Sequence, residues 1–163
     1  VGFPWGLGEQ LRQNHALEHA TIAILQEHDP GVRVIARSTN RGFKLYGTAR
    51  QDQVREAVNE AMTRLRSGEL SLAIAPRCGT TVAIGVLLGT VGLWLSEFMS
   101  SPKQKLMLGL ATSLAIAVSS QPVGLLAQRH ITTQARLGPL RVDAIRGRMV
   151  GRQNWLEVVT SAY

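Results

Sequence analysis

Residues 12–25 read RQNHALEHATIAIL, an apolar run that holds two histidines and a glutamate within five positions. On a helix, residues four apart share a face, so His15 and His19 point the same way with Glu18 beside them. Two imidazoles one turn apart can bind one metal ion, and an adjacent carboxylate can take a proton from an activated water. His-x-x-Glu-His is the inverted form of the zinc-peptidase helix motif. Between Ala16 and Leu25 only Glu18, His19 and Thr21 are polar, which places the motif in the protein interior. A carboxylate buried there without a partner would cost several kcal/mol, and a cation would be such a partner. The other reading of the same residues is a pair of hydrogen-bonded histidines with Glu18 paired to an arginine.

Two histidines call for a third protein ligand. The candidates are Cys78, His28, His130, Glu69 and Glu97. Glu97 lies roughly seventeen helical residues beyond Thr80, about 26 Å along the axis, which puts it at the far end of that helix. His28 falls beyond the last turn of the motif helix and is expected at the surface. Cys78 sits in PRCGT after an expected strand, and a thiolate is a good zinc ligand. His130 is the reserve ligand. As the only cysteine in the chain, Cys78 has no internal disulfide partner.

The elements that must position these residues follow from patterning. A helix is expected over residues 9–27, stopped at HDPG by Pro30 and Gly31. Residues 32–38 and 43–47 alternate around TNRG and read as a β-hairpin. A second helix spans 52–66, with Val54, Val58, Ala61, Met62 and Leu65 on one face, and Gly68 ends it. Residues 70–76, LSLAIAP, read as a third strand. The order is α-β-β-α-β, an α+β unit of about eighty residues assigned to 1–79.

After Cys78 the composition changes. Residues 80–96 and 106–127 carry no charge. The second stretch reaches the ~20 residues that cross a hydrocarbon core, and the first does so when extended to Met99 past Glu97. With SSPKQK between them they form a transmembrane helical hairpin over 80–127. Gly85, Gly89 and Gly92 permit close helix contact. Ten Lys/Arg precede the hairpin, six follow it, and only Lys103 and Lys105 lie in the connection. The positive-inside rule then puts both termini in the cytoplasm, at a bacterial cytoplasmic or thylakoid membrane. The net charge of +7 is explained by that orientation. No nucleic acid is expected, because no stacking aromatics are interleaved with the arginines. The basic tail, 128–163, reads either as a pair of strands completing the sheet or as a helix on the membrane surface. The opening VGFPWGLGEQ lacks the basic start and long apolar stretch of a secretory signal.

HALEH, the hairpin with STNRGFKLYG, the VREAVNEAM helix and a later CG together resemble the core of S-ribosylhomocysteine lyase, which shares a fold with the pitrilysin-type peptidases. The resemblance covers about two fifths of the chain. It implies a metallohydrolase-like domain with His15, His19 and Cys78 as metal ligands, Zn2+ as the cofactor and Glu18 as acid/base. It also makes self-association worth testing, since the lyase is a dimer. The lyase's second cysteine has no counterpart, since Asn40 stands near its place in the hairpin turn. The whole chain also resembles an uncharacterised family of small cyanobacterial membrane proteins.

Two functions are expected from these residues. One is a membrane-anchored zinc hydrolase, with peptides as a candidate substrate class and Arg77 or Arg41 stabilising an oxyanion. The other is a non-catalytic accessory or assembly subunit of a larger membrane complex, with a structural or vestigial metal site. Membrane lipids are partners in either case.

Overall fold

Helix α1 (Glu9–His28) runs to the HDPG stop, where Asp29 accepts the Gly31 N–H at 2.8 Å and Pro30 cannot extend the helix. The computed structural model describes residues 8–76, 78–151 and 153–162. Strands β1 (Val34–Thr39) and β2 (Gly42–Gly47) follow as an antiparallel hairpin with Thr39 opposite Gly42. Gly42 has a φ of 135°, and a Cβ there would meet the Val158 carbonyl oxygen at 1.9 Å, so only glycine fits. Helix α2 (Gln51–Arg66) comes next, its start stabilised by the Gln53 side chain accepting the Arg50 N–H at 2.9 Å.

The expected third strand does not form. Leu70–Ala73 is a short 3-10 turn packed on α1. The place beside β2 is taken instead by the tail, which folds as β3 (Arg141–Val150) and β4 (Gln153–Ser161). The sheet is antiparallel throughout, in the order β1-β2-β4-β3. The nine-residue β4 aligns with all six residues of β2, a longer ladder than 70–76 could offer once Ala73 is drawn down onto α1. The chain is therefore mixed α/β, with four helices and a four-stranded antiparallel sheet among the described residues.

Two units divide the chain. The first comprises residues 1–74 and 129–163. Its core packs one face of the sheet, with Phe43, Leu45, Leu156 and Val158, against Leu17 and Ile24 of α1 and Val54 and Val58 of α2. Burying such side chains is worth about 1.5–3 kcal/mol each before entropy is subtracted. On the other face Ile35, Tyr46, Trp155 and Arg148 form a cross-strand row, with Tyr46 and Trp155 stacked and the Arg148 guanidinium 3.8 Å from the indole centroid.

The second unit, residues 75–128, is a helical hairpin of α3 (Gly79–Ser96) and α4 (Pro102–Ala127). Both helices are long and apolar enough to cross a membrane. Large apolar side chains such as Val86, Leu93, Leu114 and Val118 stand exposed on them. The two helices meet through small residues: a Cβ on Gly92 would lie 2.2 Å from Thr112 Cγ2, and one on Gly124 would lie 2.5 Å from Thr81 Oγ1. Gln128, fully buried, closes the hairpin by accepting the Ala75 N–H and donating to the Ala75 carbonyl, both at 2.9 Å.

Candidate functional site

Helix α1 places His15, Glu18 and His19 together because of its 3.6-residue period. The two imidazole centroids lie 4.4 Å apart, with one ring edge toward the other's face. His19 and Glu18 are buried and His15 is half-buried. Each histidine is held by a carbonyl from a different part of the first unit. His15 Nδ1 lies 3.0 Å from the Thr132 oxygen, and His19 Nδ1 lies 2.8 Å from the Ala73 oxygen. A carbonyl oxygen can only accept, so Nδ1 carries a proton in both rings, and in the neutral ring Nε2 then carries the lone pair. Histidines that ligate metals are oriented in this way, with the outer ring N–H given to a carbonyl or carboxylate.

Glu18 accepts a hydrogen bond from the Ser38 hydroxyl, which β1 directs toward the helix. That charge-assisted contact offsets part of the cost of burying the carboxylate. The segment bearing the Thr132 carbonyl is clamped to the start of α1. The Arg12 guanidinium donates to the carbonyls of His130 at 3.4 Å and Thr133 at 3.3 Å, the Gln134 N–H donates to the Arg12 carbonyl at 3.0 Å, and Gln13 donates to that of Arg136 at 3.3 Å. Ser38, Ala73 and Thr132 were not legible as site residues. They lie 20, 54 and 117 positions from the groups they contact, and two of them contribute only backbone.

Cys78 belongs to the second unit, where it caps α3. It is buried, and its sulfur accepts the Thr80 N–H at 3.4 Å. It follows an irregular segment rather than the end of a strand. The remaining candidate ligands have other places. His28 is exposed and pairs with Glu60 at 3.1 Å. Glu69 is held by Arg64, which also bonds Glu27 and Glu60. The hydrogen bonds from Arg64 keep the Glu69 carboxyl below its ordinary pKa, and the same bonds to Glu69 and Glu27 raise that of Arg64. The His130 side chain is exposed, and Glu97 is exposed at the end of α3. Arg41 is exposed in the β1–β2 turn, and Arg77 lies outside the described residues.

The model of a family described as a domain of unknown function, DUF6391, matches residues 10–145. An uncharacterized protein from Picosynechococcus sp. is 40% identical over 147 residues, covering 82% of this chain and 71% of that protein. No solved structure matches the chain.

Proposed function

The chain belongs to the DUF6391 family, a domain of unknown function, and from its own site residues we propose that it is a membrane-anchored, zinc-dependent hydrolase. One observation carries this reading. Two histidines one turn apart each bond a carbonyl through Nδ1, so both present Nε2 as the lone-pair nitrogen beside a buried glutamate. The donor set suits zinc, with His15 and His19 as two ligands and Cys78 as the third. Cys78 follows Ala73, whose carbonyl holds His19, by only five residues. The resemblance to the S-ribosylhomocysteine lyase core rests on the same residues. A zinc ion supplies Lewis-acid activation of a hydrolytic water and of the group it attacks. Glu18 is the base that takes the water proton at its carboxylate, and Ser38 orients that carboxylate.

A second reading is favoured by one feature of the same site: His19 and Glu18 are only 4% and 6% exposed. In this reading the chain is a non-catalytic accessory subunit, and a metal would fix the two imidazoles whose Nδ1 bonds hold Ala73 and Thr132 against α1.

Metal content of the detergent-purified chain tests the site. The expected result is near-stoichiometric zinc, lost in His19→Ala, reduced in Cys78→Ser and retained in Glu18→Gln. No zinc in the wild type, even after zinc is added back, would overturn the hydrolase reading and leave an accessory subunit with a vestigial site. With zinc present, screening hydrolysis of peptide and ester panels by the wild type and Glu18→Gln separates the two. A general base contributes about 10²–10⁴-fold, so loss of turnover on that scale marks catalysis. A zinc-loaded wild type with no turnover leaves the structural reading standing.

A further inference from the structure

A cleft of about 450 Å³ opens in the first unit between the 3-10 turn and the 129–136 segment. Leu70, Ala73, Ile74 and Ala135 give it apolar walls, and Arg129 and Arg136 line it as well. No carboxylate lines it among the described residues. Neither arginine forms an ion pair among those residues. Two exposed guanidiniums beside an apolar wall suit an anion that brings apolar surface with it.

The position of the cleft in the chain narrows the choice. Ile74 is the last residue of the first unit before the apolar hairpin, and Arg129 is the first residue after it. Both covalent exits thus lie in the cleft wall. With α3 and α4 across a bilayer, Ile74 and Arg129 are joined to its surface by a few residues of chain. A soluble phosphate would satisfy the arginines and leave Leu70, Ile74 and Ala135 facing water. The glycerol and upper acyl carbons of a phospholipid would cover them.

We propose that this cleft binds the headgroup of an anionic phospholipid, with Arg129 and Arg136 holding the phosphate and the apolar wall holding the glycerol end. The site is separate from the histidine pair but shares its supports, because Ala73 and the 129–136 segment also supply the carbonyls that orient His19 and His15. The assignment rests on α3 and α4 spanning a membrane and does not depend on zinc.

The test places the chain in nanodiscs of mixed phosphatidylglycerol and phosphatidylcholine and counts retained lipid by native mass spectrometry. Two arginines at an anionic surface are worth about tenfold or more, so phosphatidylglycerol should be enriched on that scale. The enrichment should vanish in Arg129→Gln/Arg136→Gln. It should persist in Arg146→Gln/Arg148→Gln, which removes the same charge from strand β3. The Arg129→Lys/Arg136→Lys pair keeps charge without paired donors and should retain part of the enrichment, so a misfolded glutamine pair would not stall the test. No enrichment in the wild type, or equal loss in both glutamine pairs, overturns the site. Displacement of the lipid by millimolar inorganic phosphate would also overturn it, in favour of a small soluble anion. Alkaline extraction of membranes checks the premise separately. A chain released by alkali sinks the spanning reading, whereas a retained chain without enrichment sinks the headgroup site alone.

Discussion

Asn14 shows how one residue positions the histidine pair beside it. It is fully buried at the start of α1, donates to the Thr39 carbonyl at 2.9 Å and accepts from the Thr160 hydroxyl at 2.7 Å. One side chain thereby ties α1 to the end of β1 and to β4, on the turn that carries His15. Asn14→Leu would leave the carbonyl and the hydroxyl unpaired in the interior, and an unmet buried polar group costs about 1–3 kcal/mol. Chemical unfolding in detergent should show a loss of that size. Adding Thr160→Val removes one of the two orphaned groups, so the double variant should recover part of the loss. A double variant as unstable as the sum of the two singles would mean that Asn14 and Thr160 act independently.

Among the elements, the α3–α4 hairpin is held by shape rather than by charge. Between apolar helices in lipid there is little hydrophobic drive to associate, so close contact at small residues supplies the packing. Gly92 lies against Thr112, whereas an added Cβ at Gly109 would meet nothing within 4 Å. Gly92→Val should therefore push the helices apart at a cost of about 1–3 kcal/mol, the usual range for overpacking. Gly109→Val should cost little on packing grounds. The comparison is made by thermal unfolding of the two variants in the same detergent. Equal destabilisation would show that the hairpin is not packed through Gly92.

At the scale of the molecule, the charge distribution and the apolar hairpin make a prediction about topology. Both ends should face the cytoplasm, with the Lys103–Lys105 connection on the other side. In a Cys78→Ser background, Ser100→Cys should react with an impermeant thiol reagent added to intact cells. A cysteine at Arg55 on α2 should react only after lysis; the reverse pattern would invert the topology. Local periodicity alone determined α1 and its shared His15–His19 face, the β1–β2 hairpin, α2 with its buried stripe, and two apolar helices of spanning length. Each of these is written in spacings of two to four residues, which the backbone geometry of a helix or a strand enforces wherever they occur. Tertiary structure decided the rest. LSLAIAP has enough alternation for a strand, but the tail's β4 pairs along all of β2, and Ala73 became a 3-10 turn that gives its carbonyl to His19. The tail itself read equally well as strands or as a surface helix until β2 offered an unpaired edge. The supports of the candidate site, Ser38 and the carbonyls of Ala73 and Thr132, leave no pattern in the chain. Any residue has a carbonyl, and only the packed fold determines which one meets an imidazole.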